Sequence, residues 1–199
     1  MDYFLKEFSD KKSRKGRVED FFNNELSRSL SLTNNLFDLE IGCGHGHWLN
    51  AYSDLNRDIT CVGIDLISKR IQKSNNKKSS FRRNNLYFYK AEANEFLSFK
   101  PLNVKIRNIF ILFPDPWPKK KHHKRRLIQN NFLDLLKLHV SDKSLLYFRT
   151  DHLEYFKWAE EKFQNSANWT LIGDKWPFEH ETFFQNLLPN YKSLVAKFI

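Results

Sequence analysis

Cysteine, methionine, glycine and proline are all scarce in this chain of 199 residues, and each scarcity excludes something. Two cysteines, Cys43 and Cys61, cannot build the disulfide framework of a small secreted domain, so a reducing cytoplasm is the expected setting. No cysteine or acid cluster accompanies His122 and His123, so no metal is expected. The longest strongly apolar run, Ile109 to Phe113, is far too short to span a bilayer. The first seventeen residues, MDYFLKEFSDKKSRKGR, lack the apolar centre of a signal peptide, and no membrane partner is expected. Six glycines and six prolines leave few places for sharp turns or close approach of a ligand, and half of each fall in residues 42–46 and 114–118.

Positive charge is abundant. Lys plus Arg is 33 against 23 for Asp plus Glu, a net charge of +10, which favours a polyanionic partner and nucleic acid first. The length suits a single α/β domain over residues 18–199, preceded by a basic flexible arm over 1–17. Monomer and homodimer are both compatible with it.

Hydrophobic periodicity then alternates between strand and helix. Residues 18–30 read as a helix carrying Phe21, Phe22, Leu26 and Leu30 on one face. Strands are expected at 36–41, 59–64, 86–89, 109–113, 145–148, 169–172 and 193–198. Helices are expected at 46–55, 67–78, 93–99, 125–139 and 152–165. The pattern describes an open, mostly parallel seven-stranded α/β sheet with helices on both faces. The last two strands follow one another without a helix, so one of them should run antiparallel at the sheet edge.

Gly42-Cys43-Gly44-His45-Gly46 sits between the first strand and its helix, where glycines permit a tight turn and close backbone approach by a ligand. Asp65 ends the second strand, where folds of this kind place an acid on a ribose diol. A nicotinamide cofactor would favour G-x-G-x-x-G, with a helix N-terminus facing a pyrophosphate. Here the spacing is shorter, and Glu40 precedes the loop by two residues, where it would repel a pyrophosphate. An acidic wall suits a cofactor carrying an ammonium and a sulfonium, as S-adenosyl-L-methionine does. An ordinary tight turn beside a solvated acid is the plain alternative.

Phe113-Pro114-Asp115-Pro116-Trp117-Pro118 places one carboxylate and one indole between prolines, and Lys119–Arg126 adds six cations and two histidines. A carboxylate and an aromatic ring can grip a planar base, while the cations grip the phosphates beside it. Trp117 could stack on that base or pack the loop onto the body. Asp151 could serve substrate or cap the helix after it.

These segments, Asp38 to Gly46, Gly63-Ile64-Asp65, Phe113 to Leu127 and Thr150-Asp151, resemble the bacterial tRNA (guanine-N7)-methyltransferase family, in order and across nearly the whole chain. The resemblance implies a Rossmann-like class I methyltransferase fold, S-adenosyl-L-methionine as methyl donor, and guanosine 46 of the tRNA variable loop as target. It implies cofactor contacts from Glu40, Gly42, Gly44, Gly46, Asp65, Glu92, Ala93 and Asn94. It implies catalysis and base binding by Asp115, and tRNA contacts by Lys119, Lys124, Arg125, Asp151, Thr182 and Gln185. Arg14-Lys15-Gly16-Arg17 resembles a family segment that folds over substrate. Two places depart from the pattern. Glu92 stands where the family has Asp or Asn, and Gln185 stands where it has Glu, so shape is kept there and charge is lost.

Two other functions fit parts of the sequence. Amino-group methyltransferases of adenine carry a related D-P-x-W-like segment, but Trp117 follows Asp115-Pro116 directly and the cationic tail is foreign to them. A tRNA-binding protein with a decayed site would account for Gln185, against which stand Asp115 and an intact glycine loop.

Overall fold

The computed structural model describes residues 11–80, 84–180 and 190–199. Seven strands form one sheet: β1 (Leu36–Ile41), β2 (Thr60–Asp65), β3 (Leu86–Lys90), β4 (Lys105–Leu112), β5 (Val140–Thr150), β6 (Trp169–Gly173) and β7 (Lys192–Phe198). Their order is β3-β2-β1-β4-β5-β7-β6. Strands β1 to β5 pair in parallel, and β7 runs antiparallel between β5 and β6. Strand β2 is buried along its whole length, as its apolar composition requires of a strand covered on both faces. The chain winds from β1 outward to β3, then returns across β1 to β4. That reversal opens a crevice at the carboxyl ends of β1 and β4, the place where open sheets bind ligands.

The helices are α1 (Lys11–Asp20), α2 (Ser27–Leu32), α3 (His47–Leu55), α4 (Ser68–Ser80), α5 (Ala93–Phe99), α6 (Asn130–Lys137) and α7 (Leu153–Gln164). One layer of core packs Phe21, Phe22 and Phe96 with α6 and α7 side chains against the sheet. The other gathers Trp48, Tyr52, Phe110, Tyr147 and Trp176.

Two expectations are corrected. Lys11–Arg17, expected in a flexible arm, are the first turns of α1, while residues 1–10 lie outside the described part. The segment is drawn in because Arg14 pairs with Glu95 of α5 at 2.9 Å and Phe21 stacks on Tyr89 with ring centres 4.4 Å apart. The helix expected over 125–139 is shorter, because Arg126 and Gln129 hold extended ψ angles of 138° and 160°, so helical structure resumes only at Asn130.

Asp38 of β1 is wholly buried. It accepts hydrogen bonds from Arg107 Nε at 2.9 Å and Nη2 at 2.6 Å, from the Tyr52 hydroxyl at 2.7 Å and from the Asn108 backbone at 3.1 Å. Arg107 lies where the register of β4 shifts against both neighbours, and that irregularity frees its side chain to reach back to β1. The pair therefore locks the two strands that flank the crevice. Asp38→Ala should destabilise the fold by about 3–5 kcal/mol, since it leaves a guanidinium and a phenol without their acceptor. The reading would be a lower urea midpoint at unchanged slope, and a loss below about 1 kcal/mol would show that the pair is not structural.

Candidate active site

The glycine loop is built around positive φ. Gly46, at φ 67°, opens α3 against the Phe88 ring, which a Cβ would meet at 2.4 Å. Gly42, at φ 77°, has nothing within 4 Å of a built Cβ and lines the crevice, so a side chain there would occupy the ligand's space. The backbone N–H groups of Gly42 and Cys43 donate to the Ile64 carbonyl at 2.8 and 3.0 Å. Asp65 accepts from Gly44 N–H at 3.0 Å and Ile67 N–H at 2.8 Å, with Arg70 at 3.5 Å. The acid at the end of β2 is thus fixed in place by the loop itself.

Glu40 is 3 % exposed, and its Oε2 has no hydrogen-bond partner. Burial first, and the neighbouring Asp65 charge second, push its carboxyl up to about 8, while a hydrogen bond from the Leu49 backbone opposes them. A carboxyl held this way keeps its proton at neutral pH and would ionise beside a cation. The residues present therefore fit S-adenosyl-L-methionine: an open backbone at Gly42, an oriented acid at Asp65, and an uncompensated one at Glu40.

The crevice measures about 820 Å³. Asp65, Glu92, Ala93 and Asn94 line it from the β2–β3 side, and Asp115 and Trp117 from the β4 side. Glu92 also caps α5, accepting from Glu95 N–H at 2.9 Å and from the Asn94 amide at 2.9 Å. The cap anchors the Glu92 carboxylate at the crevice wall.

The turn carrying Asp115 is strained and held from outside. Phe113 and Trp117 take φ values of 48° and 45°, although each precedes a proline that favours extended backbone. Such residues cost on the order of 1–3 kcal/mol each and persist only where surroundings impose them. Phe113 N–H donates to the Arg149 carbonyl at 2.8 Å. Arg126 Nε donates to the Pro116 carbonyl at 2.8 Å, and its guanidinium lies over Tyr155 and Trp158 and 3.6 Å from Glu154. Asp115 itself is exposed at the mouth of the crevice.

The site residues divide accordingly. Asp115, Lys124 and Arg125 line the crevice with Gly42, Asp65 and the 92–94 stretch. Glu40, Gly44, Gly46 and Lys119 do not line it; Glu40 and Gly46 are buried and Lys119 is exposed. Asp151 follows β5, but the cap of α7 falls to His152, whose Nδ1 accepts from Tyr155 N–H at 3.2 Å. Trp117 packs within its own loop, 4.9 Å from the Arg125 guanidinium and edge-on to His122. Thr182 and Gln185 lie outside the described residues. Arg126, expected with its neighbours on phosphate, is buried instead, because its stem and head fill the space between the Asp115 turn and α7. Its supporting role was hidden in a run where every cation looks alike.

A family model described as "Putative methyltransferase" matches residues 34–190. The tRNA (guanine-N(7)-)-methyltransferase of Prochlorococcus marinus subsp. pastoris is 35% identical over 157 residues, covering 76% of this chain and 72% of that protein. The protein of the same name from Clostridium botulinum strain 657 is 30% identical over 193 residues, covering 94% and 84%. Among solved structures, the aminoglycoside resistance methyltransferase NpmB1 superposes with a TM-score of 0.61 at 14% identity, over 88% of this chain and 92% of that one. That likeness shows the class I methyltransferase fold.

Glu40 makes the site sensitive to pH. Its folded value of about 8 stands above the ordinary 4.5, so the folded protein holds a proton that the unfolded chain releases. The resulting penalty is absent below pH 4.5, grows between 4.5 and 8, and is complete above 8. Glu40→Gln should therefore stabilise the ligand-free protein at pH 7 by on the order of 3 kcal/mol, measured by urea unfolding, and by nothing near pH 4. A destabilised variant at pH 7 would contradict the assignment.

Proposed function

This chain belongs to the tRNA (guanine-N7)-methyltransferase family, and we propose that it methylates nitrogen 7 of a tRNA guanosine. The observation that supports the reading is the shared crevice, with Gly42, Asp65 and the 92–94 stretch on one side, Asp115 with Lys124 and Arg125 on the other, and the buried Glu40 two residues before Gly42. Held by Glu40, Gly42 and Asp65, S-adenosyl-L-methionine would supply a methyl group activated on sulfonium, its S–CH3 bond breaking as the bond to the base nitrogen forms and S-adenosyl-L-homocysteine leaving. Guanine N7 bears a lone pair and no proton, so no general base is required before transfer. The work left to the protein is alignment, exclusion of water and stabilisation of the positive charge that arrives on the purine.

Asp115 meets two of these needs. Its carboxylate can accept two hydrogen bonds from the N–H groups of guanine's pairing edge, where adenine presents an acceptor. The same negative charge offsets the cationic purine. The strained turn holds Asp115 toward the crevice, so its placement precedes substrate. Lys119, Lys124 and Arg125 take flanking phosphates, contacts that position RNA and read little sequence. Asp151, Thr182 and Gln185 complete the substrate side in this proposal, with guanosine 46 of the variable loop as the target and the cytoplasm as the setting. An unpaired loop suits the crevice, since its bases can be splayed out for chemistry. Monomer and homodimer both accommodate this site. Among the described residues no helix is long and apolar enough to cross a membrane.

The test is direct. Unmodified tRNA incubated with labelled S-adenosyl-L-methionine should yield 7-methylguanosine after nuclease digestion. N6-methyladenosine would overturn the reading, and no transfer would favour a binding protein. Asp115→Ala should lower kcat by about 10²–10³ while cofactor and tRNA affinities change little. Unimpaired turnover would remove Asp115 from the mechanism.

A further inference from the structure

Helix α4 carries Lys69, Arg70, Lys73, Lys77 and Lys78 in thirteen residues and contains no acid. Lys69, Lys73 and Lys77 follow one another at i,i+4, where each like-charged pair disfavours a helix by about 0.2–0.5 kcal/mol. Residues on the glycine loop and the first turn of α3 enlarge the same patch. His47 lies within 2.9 Å of Lys77 Nζ, and the His45 ring centre is 6.2 Å from that of His47. Desolvation first, then Lys73, Arg70, Lys77 and the weaker opposing Asp65, set the balance that lowers the His45 pKa. Desolvation, then Lys77, His45 and His180, lowers that of His47. The α4 cations thus gather beside the glycine loop with two imidazoles that stay neutral and can donate an N–H to phosphate. Among the described residues, Asp65 is buried below, accepts from two backbone N–H groups and lies 3.5 Å from Arg70, while the Glu25 charge acts on Lys78.

The patch also has a definite place. Arg70 lines the same crevice as Lys124 and Arg125, from the opposite wall. Between the cations the exposed face of α4 shows Gln72, Asn75 and Asn76, amides that can bond phosphate and ribose, where a membrane-binding helix would show apolar residues. We propose that α4, with His45 and His47, is a second phosphate-binding lip, so that tRNA is gripped on both sides of the crevice and the backbone is held 5′ and 3′ of the target base at once. The proposal rests on tRNA being the substrate.

Lys73→Gln/Lys77→Gln changes side chains that the catalytic assignment does not use. Binding of an unmodified tRNA transcript, followed by fluorescence anisotropy across a potassium chloride series, should lose about 0.7–0.9 of log–log salt slope per phosphate contact removed, hence roughly 1.5 for two. S-adenosyl-L-methionine affinity should stay unchanged, and Lys73→Arg/Lys77→Arg should restore the slope. An unchanged slope overturns the lip. So does an equal loss from Lys137→Gln/Lys143→Gln, which lie at the opposite end of the sheet and report net charge alone. A second reading is the ring titration of His47 by NMR: bound phosphate should raise its pKa, and no rise on adding tRNA counts against the proposal. Methyl transfer is measured alongside. Transfer to N7 with an unaltered slope refutes the lip alone; a lost slope without transfer supports the lip and refutes the catalytic reading alone.

Discussion

The clasp between Asp38 and Arg107 fixes β1 to β4, and every feature of the crevice hangs from those two strands. β1 runs directly into Glu40 and Gly42, and β4 runs directly into Phe113 and the Asp115 turn. Asp38 and Glu40 are two residues apart on one strand and so share one face of the sheet. Asp38 has a guanidinium, a phenol and a backbone N–H for partners, whereas an oxygen of Glu40 has none. Burying the first carboxylate secures the scaffold. Burying the second without a counter-charge raises the cost of ionising it beside the glycine loop. Neighbouring acids thus do opposite work because one has been given counter-charge and the other has not.

The substrate half of the crevice follows a different logic. Its scaffold contacts are reached through side chains and carbonyls outside the turn: the Arg149 carbonyl on Phe113, and Arg126 on Pro116. Arg126 and Arg125 are adjacent and chemically identical, yet one braces the turn from inside while the other faces the crevice. A single cationic run is thereby divided into a buried brace, Arg126, and an exposed cation on the crevice, Arg125.

Much of this was legible in the sequence, for identifiable reasons. Glycines at 42 to 46 announced a backbone that needs positive φ, and Asp65 followed at the end of the next apolar run. The strands showed themselves because buried parallel strands demand continuous apolar residues. The shortened α6 was not legible, since Leu127 and Ile128 continue a helical pattern while serving an extended linker. Nor was α1, whose basic residues read as solvated until the Arg14–Glu95 pair and the Phe21–Tyr89 stack draw them in. Burial of Arg126 and the missing partner of Glu40 are properties of three-dimensional neighbourhood, and no spacing rule encodes them. The positive φ of Phe113 and Trp117 ran against the ordinary expectation for residues ahead of proline.

Strain at Phe113 and Trp117, together with the buried Glu40 carboxyl and its partnerless Oε2, sets the proposed activity against the protein's own stability. The sheet is secured elsewhere, through β1 and β4. Substitutions that relaxed the turn, or put a residue that cannot ionise in place of Glu40, would firm the ligand-free fold and, on the proposed function, weaken the site.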